Sequence, residues 1–122
     1  MLKEIHHISY SQLELYKSLF DSNPDASYVL NLEGNFLYVN DSAVNLSGYS
    51  REELVQMSFV TLLKVDDIER ISKYFENVKK GNIERFETSF KTKSGKFIDL
   101  YITATPIVID EKIQGLIGIG KI

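Results

Sequence analysis

The sequence contains no cysteine and only two histidines. Without a thiol, the chain forms no disulfide, offers no thiolate to a metal and has no cysteine nucleophile. The histidines, His6 and His7, are adjacent in the N-terminal segment, so they point to different sides of a helix and assist no nucleophile elsewhere in the chain. The glycines form no phosphate-binding motif, because they fall at turns and in the last predicted strand. These absences predict that the chain is not an enzyme and binds no metal.

Long apolar runs and basic patches are also missing. The longest apolar runs are far shorter than the ~18 residues that cross a membrane, and the N-terminus lacks the apolar core of a signal peptide. The net charge is -3, and no basic stripe with interleaved aromatic residues is present to contact phosphates. We therefore expect a soluble, cytoplasmic segment with no nucleic acid partner and no membrane contact. A chain of 122 residues has room for one hydrophobic core.

Residues 36–54 are the stretch around which the other elements are arranged. Phe36–Val39 is a short apolar run that predicts a strand, and it is closed by Asn40 and Asp41, which favour helix caps and turns. One of these two residues therefore caps a short helix that carries apolar side chains inward. Gly48 is expected to end this helix, because glycine adopts the left-handed conformation at helix C-termini.

A second helix start follows directly. Ser50 and Glu53 have the spacing of a capping box, in which each side chain accepts a hydrogen bond from the backbone N–H of the other residue. Tyr49 and Leu54 flank this box at the spacing of a hydrophobic staple. Two helix starts directly behind a strand predict a tight strand-to-helix corner.

Alternation of apolar and polar residues predicts four more strands, and a three-and-four spacing predicts one long helix. The helix covers residues 66–80, and its buried face carries Ile68, Ile71, Phe75 and Val78. The strands are Ser27–Leu32, Glu84–Lys91, Phe97–Pro106 and Ile113–Ile122. Hairpin turns join most of the strands, and the helices fall between the second and the third. We therefore predict an α+β fold, a five-stranded antiparallel sheet with helices packed on one face.

The N-terminal 22 residues predict a flanking helix, which ends before Pro24 because proline excludes the preceding residue from the helical conformation. Its apolar residues follow the spacing of a coiled-coil seam and are Ile5, Ile8, Leu15 and Leu19. This pattern favours a homodimer formed through the helix. A second apolar stripe on another face leaves open that the helix only covers its own sheet. The chain thus divides into a flanking helix, residues 1–22, and a domain, residues 23–122.

In the order of its elements, the chain from residue 11 to residue 122 resembles a PAS domain, the small sensory module of bacterial signalling proteins. The matching motifs are Asn40-Asp41, Gly48–Leu54, Asp66-Asp67, Ser94-Gly95, Thr103–Pro106 and Gly115–Gly118. The chain departs from the family at Lys64-Val65, where His-Pro is usual, and lacks the Asp-Ile-Thr that often follows the last strand. The resemblance implies the sheet order 2-1-5-4-3, with the long helix lying across the sheet to enclose a pocket.

The resemblance also implies a function. A PAS domain of this kind relays the state of a ligand or of a dimer to a covalently linked effector, which lies outside this chain. The effectors that the resemblance implies are histidine kinases and cyclic-di-GMP-type enzymes. The alternative is a ligand-free module for dimerisation or protein interaction.

Carried onto this chain, the pocket of the family is lined mainly by apolar residues of the sheet and of the long helix. They are Tyr28, Leu30, Ile68, Ile71, Ser72, Phe75, Thr88, Phe90, Leu100, Ile102, Ala104, Leu116, Gly118 and Gly120. The two glycines are expected to leave room against the sheet for a small apolar ligand. The alternative is that the aromatic members of this set simply fill the core.

The resemblance restricts the cofactors. Haem-binding relatives place a histidine on the long helix as the axial ligand, and residues 66–80 contain none. Photoactive relatives attach flavin or another chromophore through a cysteine, which this chain lacks. We therefore predict no cofactor, with haem and covalent flavin disfavoured, and a small apolar molecule as the remaining candidate ligand.

Overall fold

The computed structural model describes residues 10–122, with side chains described from residue 14 onwards. The described helices are α1 (Tyr10–Ser22), α2 (Asp41–Ser47), α3 (Arg51–Leu54) and α4 (Ile68–Lys79). The strands are β1 (Ala26–Leu30), β2 (Phe36–Val39), β3 (Glu84–Lys91), β4 (Phe97–Ile109) and β5 (Lys112–Lys121). Short 3₁₀ turns at Phe59–Leu62 and Val65–Asp67 precede α4. Within these residues, no helix combines the length and the apolar character needed to cross a membrane.

The strands form one antiparallel sheet in the order β2-β1-β5-β4-β3. Across its centre, Tyr28 of β1 lies opposite Gly118 of β5, which in turn lies opposite Ala104 of β4. The face that carries these residues is covered by helices, and Leu30 and Ile102 on the same face are buried. The predicted α+β fold and strand order are confirmed.

The first strand is shorter than predicted. It ends at Leu30 rather than Leu32, because the Asn31 side chain forms hydrogen bonds with the backbone of the following residues and so closes a turn. The Asn31 Oδ1 accepts from the backbone N–H of Glu33 at 3.0 Å and of Asn35 at 2.9 Å. Asparagine side chains commonly close turns in this way, and the turn leads directly into β2.

The fourth strand is longer than predicted, since it continues beyond Pro106 to Ile109. Pairing with β3 stops at Ala104, so the proline lies where β4 has an open edge, the position at which a sheet tolerates proline. The turn to β5 is formed by Asp110 and Glu111, with φ angles of 53° and 65°. Two consecutive positive φ angles are typical of the type I′ turn that closes two-residue hairpins.

The corner after β2 has the predicted caps. The Asn40 side chain accepts a hydrogen bond from the backbone N–H of Ala43 at 2.9 Å, and Gly48 ends α2 with a φ of 77°. The Ser50 Oγ accepts from the N–H of Glu53 at 3.1 Å, and the Glu53 carboxylate accepts from the N–H of Ser50 at 2.9 Å. The predicted capping box is therefore confirmed.

Helix α4 packs across the sheet through its predicted apolar stripe. Ile71 and Val78 are buried, while Ile68 and Phe75 are partly buried against the core. The Phe75 ring contacts Phe59, with ring centroids 5.0 Å apart. The helix thus joins the sheet to the segment that precedes it.

Helix α1 exposes apolar side chains to solvent along residues 14–19. The side chains of residues 14–19 are all exposed, and Leu15 and Leu19 are 56% and 61% exposed. Phe20, near the end of the helix, is partly buried. Residues 14–19 therefore do not cover the sheet. The predicted seam residue Ile8 lies outside the described residues.

Candidate functional site

Two apolar hollows lie between the sheet and its helices. The larger, of about 60 Å³, is bordered by Ala43 and Leu46 of α2 and Leu54 of α3, together with residues of the sheet. The smaller, of about 20 Å³, is bordered by Ile71 and Phe75 of α4. Concave, mostly apolar space with few polar groups is typical of small-molecule sites. The hollows are therefore the candidate ligand site.

Tyr28 and Phe90 border both hollows and so lie between them. The Tyr28 ring packs edge-on against Phe36, with centroids 5.5 Å apart. Its hydroxyl makes no hydrogen bond within the part of the chain that the structure describes. Burial raises the pKa of this hydroxyl above its ordinary value. The site therefore contains a protonated donor without a protein partner.

The two glycines of β5 accommodate side chains of the domain itself. An added Cβ at Gly118 would overlap the Tyr28 ring. At Gly120 an added Cβ would lie 3.0 Å from Ile102 Cδ1 and 3.3 Å from Leu100 Cδ1. The room that the sequence led us to expect at these glycines is thus largely taken up by protein, although Gly120 also borders the larger hollow.

Nine of the fourteen predicted pocket residues border one hollow or the other. They are Tyr28, Leu30, Ile71, Phe75, Phe90, Leu100, Ala104, Leu116 and Gly120. Of the remaining five, Gly118 lies beneath the Tyr28 ring and Ile102 is fully buried in the core. Ile68 and Ser72 are partly buried on α4. Thr88 is buried, and its Oγ1 has no hydrogen-bond partner among the described residues.

Sequence reasoning missed the contribution of α2 and the segment after it. Ala43, Leu46 and Ser47 border the larger hollow, as do Leu54 and Leu62. The inward apolar face of α2 predicted contact with the core, and that signal was available. The gap between α2 and the sheet depends on how the corner is held by long-range hydrogen bonds, which local spacing does not reveal.

The larger hollow reaches the surface between the end of α2 and the end of β3, where Ser47, Lys91 and Thr92 border it. Lys93 joins the two sides of this mouth. Its backbone N–H donates to the Ser47 carbonyl at 2.9 Å, and its Nζ lies 3.0 and 2.9 Å from the two carboxylate oxygens of Glu53. This Lys93 contact ties the α2–α3 corner to the β3–β4 hairpin.

The Lys93 contact should weaken in acid. The hydrogen bond from the Ser50 backbone N–H, followed by that from Lys93, lowers the pKa of Glu53 below its ordinary value. A lowered folded-state pKa gives stability that is present above the unfolded pKa of about 4.3 and is lost as the pH falls through the folded value. We expect Glu53→Gln to lose less thermal stability than the wild type between about pH 5 and about pH 3. Thermal melts across this range measure the difference.

The control for this prediction is Glu52→Gln. Glu52 is an exposed carboxylate in the same helix and takes no part in the Lys93 contact. Its melting temperature should follow the wild-type pH curve. Parallel curves for the wild type and Glu53→Gln would contradict the role assigned to the Glu53 charge.

Asn40 is fully buried and connects α1 to the sheet. Its Nδ2 donates to three backbone carbonyls, those of Phe20 at 3.1 Å, Asn23 at 3.2 Å and Asp25 at 3.0 Å. Its Oδ1 accepts from the backbone N–H of Ser27 at 2.9 Å. We call this set of hydrogen bonds the Asn40 junction. It fixes the end of α1 and the start of β1 to the corner between β2 and α2.

Arg51 reinforces the Asn40 junction from α3. Its Nε donates to the Val39 carbonyl at 3.2 Å, and its guanidinium contacts Asp41 and lies 3.7 Å from Asp21 of α1. Val39 borders the larger hollow. Through Arg51, the end of α1 is therefore connected to Val39, a residue in the wall of the larger hollow.

A five-stranded antiparallel sheet in this order, with helices enclosing apolar space over one face, defines the sensory α+β fold that the sequence predicted. A family model described as PAS domain matches residues 24–121, and the chain belongs to the PAS domain family. Members of this family are sensory and regulatory modules. No curated protein sequence matches the chain.

Solved structures agree with this fold. A domain of a sensory box sensor histidine kinase/response regulator from Geobacter sulfurreducens superposes with a TM-score of 0.79 at 22% identity, covering 93% of this chain and 96% of that one. The PAS domain of a protein from Colwellia psychrerythraea gives 0.82 at 23% identity, covering 89% and 94%. A LOV protein from Rhodobacter sphaeroides gives 0.77 at 13% identity, covering 93% and 68%. At these identities the structures show a shared fold.

The described residues offer no cluster of side chains for a metal ion. Among them, no group of three or more histidine, cysteine, aspartate or glutamate residues is placed to hold a metal ion. Asp41 and Glu53, the carboxylates nearest the corner, are engaged in surface ion pairs with Arg51 and Lys93. The polar chemistry of the site itself is therefore the Tyr28 hydroxyl and the groups at the mouth of the larger hollow.

Proposed function

We propose that this chain is the sensory domain of a bacterial signalling protein and regulates a covalently linked histidine kinase or cyclic-di-GMP-type enzyme. The observation that carries the proposal is the Asn40 junction, which joins α1 to a wall of the larger hollow. A change in packing at the hollow would move the corner that Asn40 occupies, and with it the end of α1. The similarity to a domain of a sensor histidine kinase supports this class of effector.

The proposal assigns separate roles to two parts of the chain. The N-terminal segment, residues 1–22, of which Tyr10–Ser22 form α1, would carry the signal, and residues 23–122 would be the sensory domain. The family model supports this boundary, since its match starts at residue 24. The domain would act in the cytoplasm, next to its effector.

The proposal includes a homodimer formed through α1. Leu15, Tyr16 and Leu19 are each more than half exposed and lie within about one and a half turns of this helix. Burying a leucine side chain contributes about 1.5–3 kcal/mol, so a second copy of the helix would gain considerably from covering this stripe. Leu15 and Leu19 also have the spacing of a coiled-coil seam.

The dimer is tested by the double variant Leu15→Lys/Leu19→Lys. It should shift the dimer–monomer equilibrium at least ten-fold towards monomer, because the buried leucines are lost and like charges face each other. Light scattering coupled to size exclusion measures the mass. The control is Lys17→Ser on an exposed position of the same helix, which should leave the mass unchanged. A monomeric wild type would remove the dimer from the proposal.

Regulation is tested in the parent protein. There, the same double variant should change the rate of autophosphorylation or of cyclic-di-GMP formation, and Lys17→Ser should not. An enzymatic rate that is the same in the double variant and in the wild type would argue against the regulatory role.

The small size of the hollows favours a second candidate function, a ligand-free module for dimerisation or protein interaction. At about 60 Å³, the larger hollow is well below the about 300 Å³ at which drug-sized ligand pockets begin. Native mass spectrometry with an absorption spectrum of the purified protein separates the two candidates. A stoichiometric additional mass or a visible band supports ligand sensing, and a bare polypeptide favours the interaction module.

A further inference from the structure

We propose that the uncovered part of strand β3 pairs edge to edge with the same strand of a second copy of this chain, and that Arg70 guards this edge. The pairing is a second contact between copies and does not involve α1. It is carried by three features of the described residues: the direction of the backbone groups of β3, the position of the Arg70 guanidinium and the order of the charges along the strand.

Alternate residues of β3 direct their backbone hydrogen-bonding groups away from the sheet. β3 is an edge strand beside β4, and at the hairpin between them the Thr92 N–H donates to the Lys96 carbonyl at 2.7 Å. Backbone groups in an antiparallel pair point alternately towards and away from the neighbouring strand. Counted back from Thr92, the even-numbered residues of β3 therefore face β4, and Arg85 and Glu87 face the open edge.

Part of this edge is already covered. Phe90 forms a bridge with Leu63, which closes the end of the strand nearest the hairpin. Arg70 extends from α4, and its Nη1 donates to the Glu87 carbonyl at 3.0 Å. Arg70 also lies 3.5 Å from Asp67 in an ion pair, and its side chain is 46% exposed. A solvent-accessible side chain therefore occupies the position from which another strand would donate, and charged residues commonly protect sheet edges in this way.

The charges along β3 match those of a second β3 in antiparallel orientation. Arg85 and Glu87 are exposed, and a two-fold axis at Phe86 places Arg85 of each copy opposite Glu87 of the other. Each such pair exchanges two backbone hydrogen bonds and brings opposite charges to about 5 Å, which stabilises strand pairing. A two-fold axis at Arg85 or at Glu87 would place like charges opposite each other. The order of charges therefore specifies one register.

The guard belongs to the helix that also borders the sensory site. Arg70 is followed in α4 by Ile71, which borders the smaller hollow. On the other side of α4, Tyr74 stacks on Phe86 with ring centroids 4.6 Å apart, so the helix contacts the residue at the proposed two-fold axis. A shift of α4 in response to the hollow would also uncover or cover the edge, a consequence that rests on the proposed sensory function.

The first experiment removes the guard. All variants are made in the full chain carrying Leu15→Lys/Leu19→Lys, so that α1 contributes no contact, and association is measured by sedimentation equilibrium. Arg70→Ala should raise the association constant about two- to ten-fold, because a competing hydrogen bond to the Glu87 carbonyl is lost. Lys73→Ala is the matched control, since it removes a neighbouring ion pair of α4, that with Glu69. It should leave association unchanged.

The second experiment tests the register. In the Arg70→Ala chain, either Arg85→Glu or Glu87→Arg should weaken self-association at least five-fold, because like charges then face each other across the two-fold axis. Mixing the two chains should restore association as a heterodimer, since one chain carries two acidic side chains at these positions and the other two basic ones. Native mass spectrometry identifies the heterodimer from the different masses of the two chains.

The outcomes separate the two parts of the proposal. A mixture that associates no more strongly than either chain alone would overturn the pairing, as would an Arg70→Ala chain that stays monomeric. Equal association constants with and without the Arg70 side chain would overturn its role as a guard. None of these results decides the α1 dimer or the regulatory role, because both are judged by the mass and output of chains in which β3 is unchanged.

Discussion

Replacing Asn40 with aspartate is expected to destabilise the domain by about 3 kcal/mol, because a buried charge replaces a donor that serves several carbonyls. Aspartate keeps an acceptor for the N–H groups of Ser27 and Ala43, so the cap of α2 survives. It loses the three hydrogen bonds that Nδ2 donates to the end of α1 and the start of β1. Urea denaturation measures the loss of stability.

The matched control is Asn45→Asp, the same chemical change at an exposed position of α2, which should alter stability little. Acid should partly rescue Asn40→Asp, because a protonated carboxyl regains a donor. Hydrogen exchange should show the amides of α1 losing protection before those of the sheet. Equal stability of the two variants would mean that the Asn40 junction does not hold α1.

Replacing Gly118 with alanine is expected to cost about 1–3 kcal/mol, the range typical of overpacking. The added Cβ would overlap the ring of Tyr28 on the opposite strand, so the tyrosine must leave its position between the two hollows. Thermal or urea denaturation gives the cost.

Two comparisons isolate the clash at Gly118. Gly120→Ala is the matched control on the same strand and face, and it should cost less, because its Cβ would meet only flexible side-chain ends at 3.0 and 3.3 Å. In the double variant Tyr28→Ala/Gly118→Ala, the penalty of the added methyl should largely disappear, giving a coupling of about 0.5–3 kcal/mol. Additive effects would show that Tyr28 and Gly118 do not compete for the same space.

The sequence predicted the helix caps and helix faces that are determined by residues close together in the chain. The capping box of Ser50 and Glu53, the end of α2 at Gly48 and the apolar stripe of α4 depend on residues within a few positions of one another. The end of β1 was misjudged because Asn31 forms its turn through side-chain hydrogen bonds, which compete with the strand pattern. The extension of β4 was missed because a proline usually ends a strand. Here the neighbouring strand β3 no longer pairs with β4 at Pro106, so the proline interrupts no hydrogen bond to it.

The site was predictable only in part. Alternation identified which side chains face the helices, but it did not show that Tyr28 would fill the space above Gly118. It also did not show that Asn40, one of the two residues expected to cap α2, reaches back to residues 20–25. Both features arise from contacts between distant parts of the chain, and their distances are fixed only by the assembled sheet.

The Asn40 junction holds α1 through main-chain carbonyl oxygens. Every amino acid presents such an oxygen, so the attachment does not depend on which side chains the helix carries. The outward surface of α1 is therefore free to change during evolution without loosening its base. Substitutions on the exposed face of this one helix can therefore change what the helix contacts while its attachment to the domain stays the same.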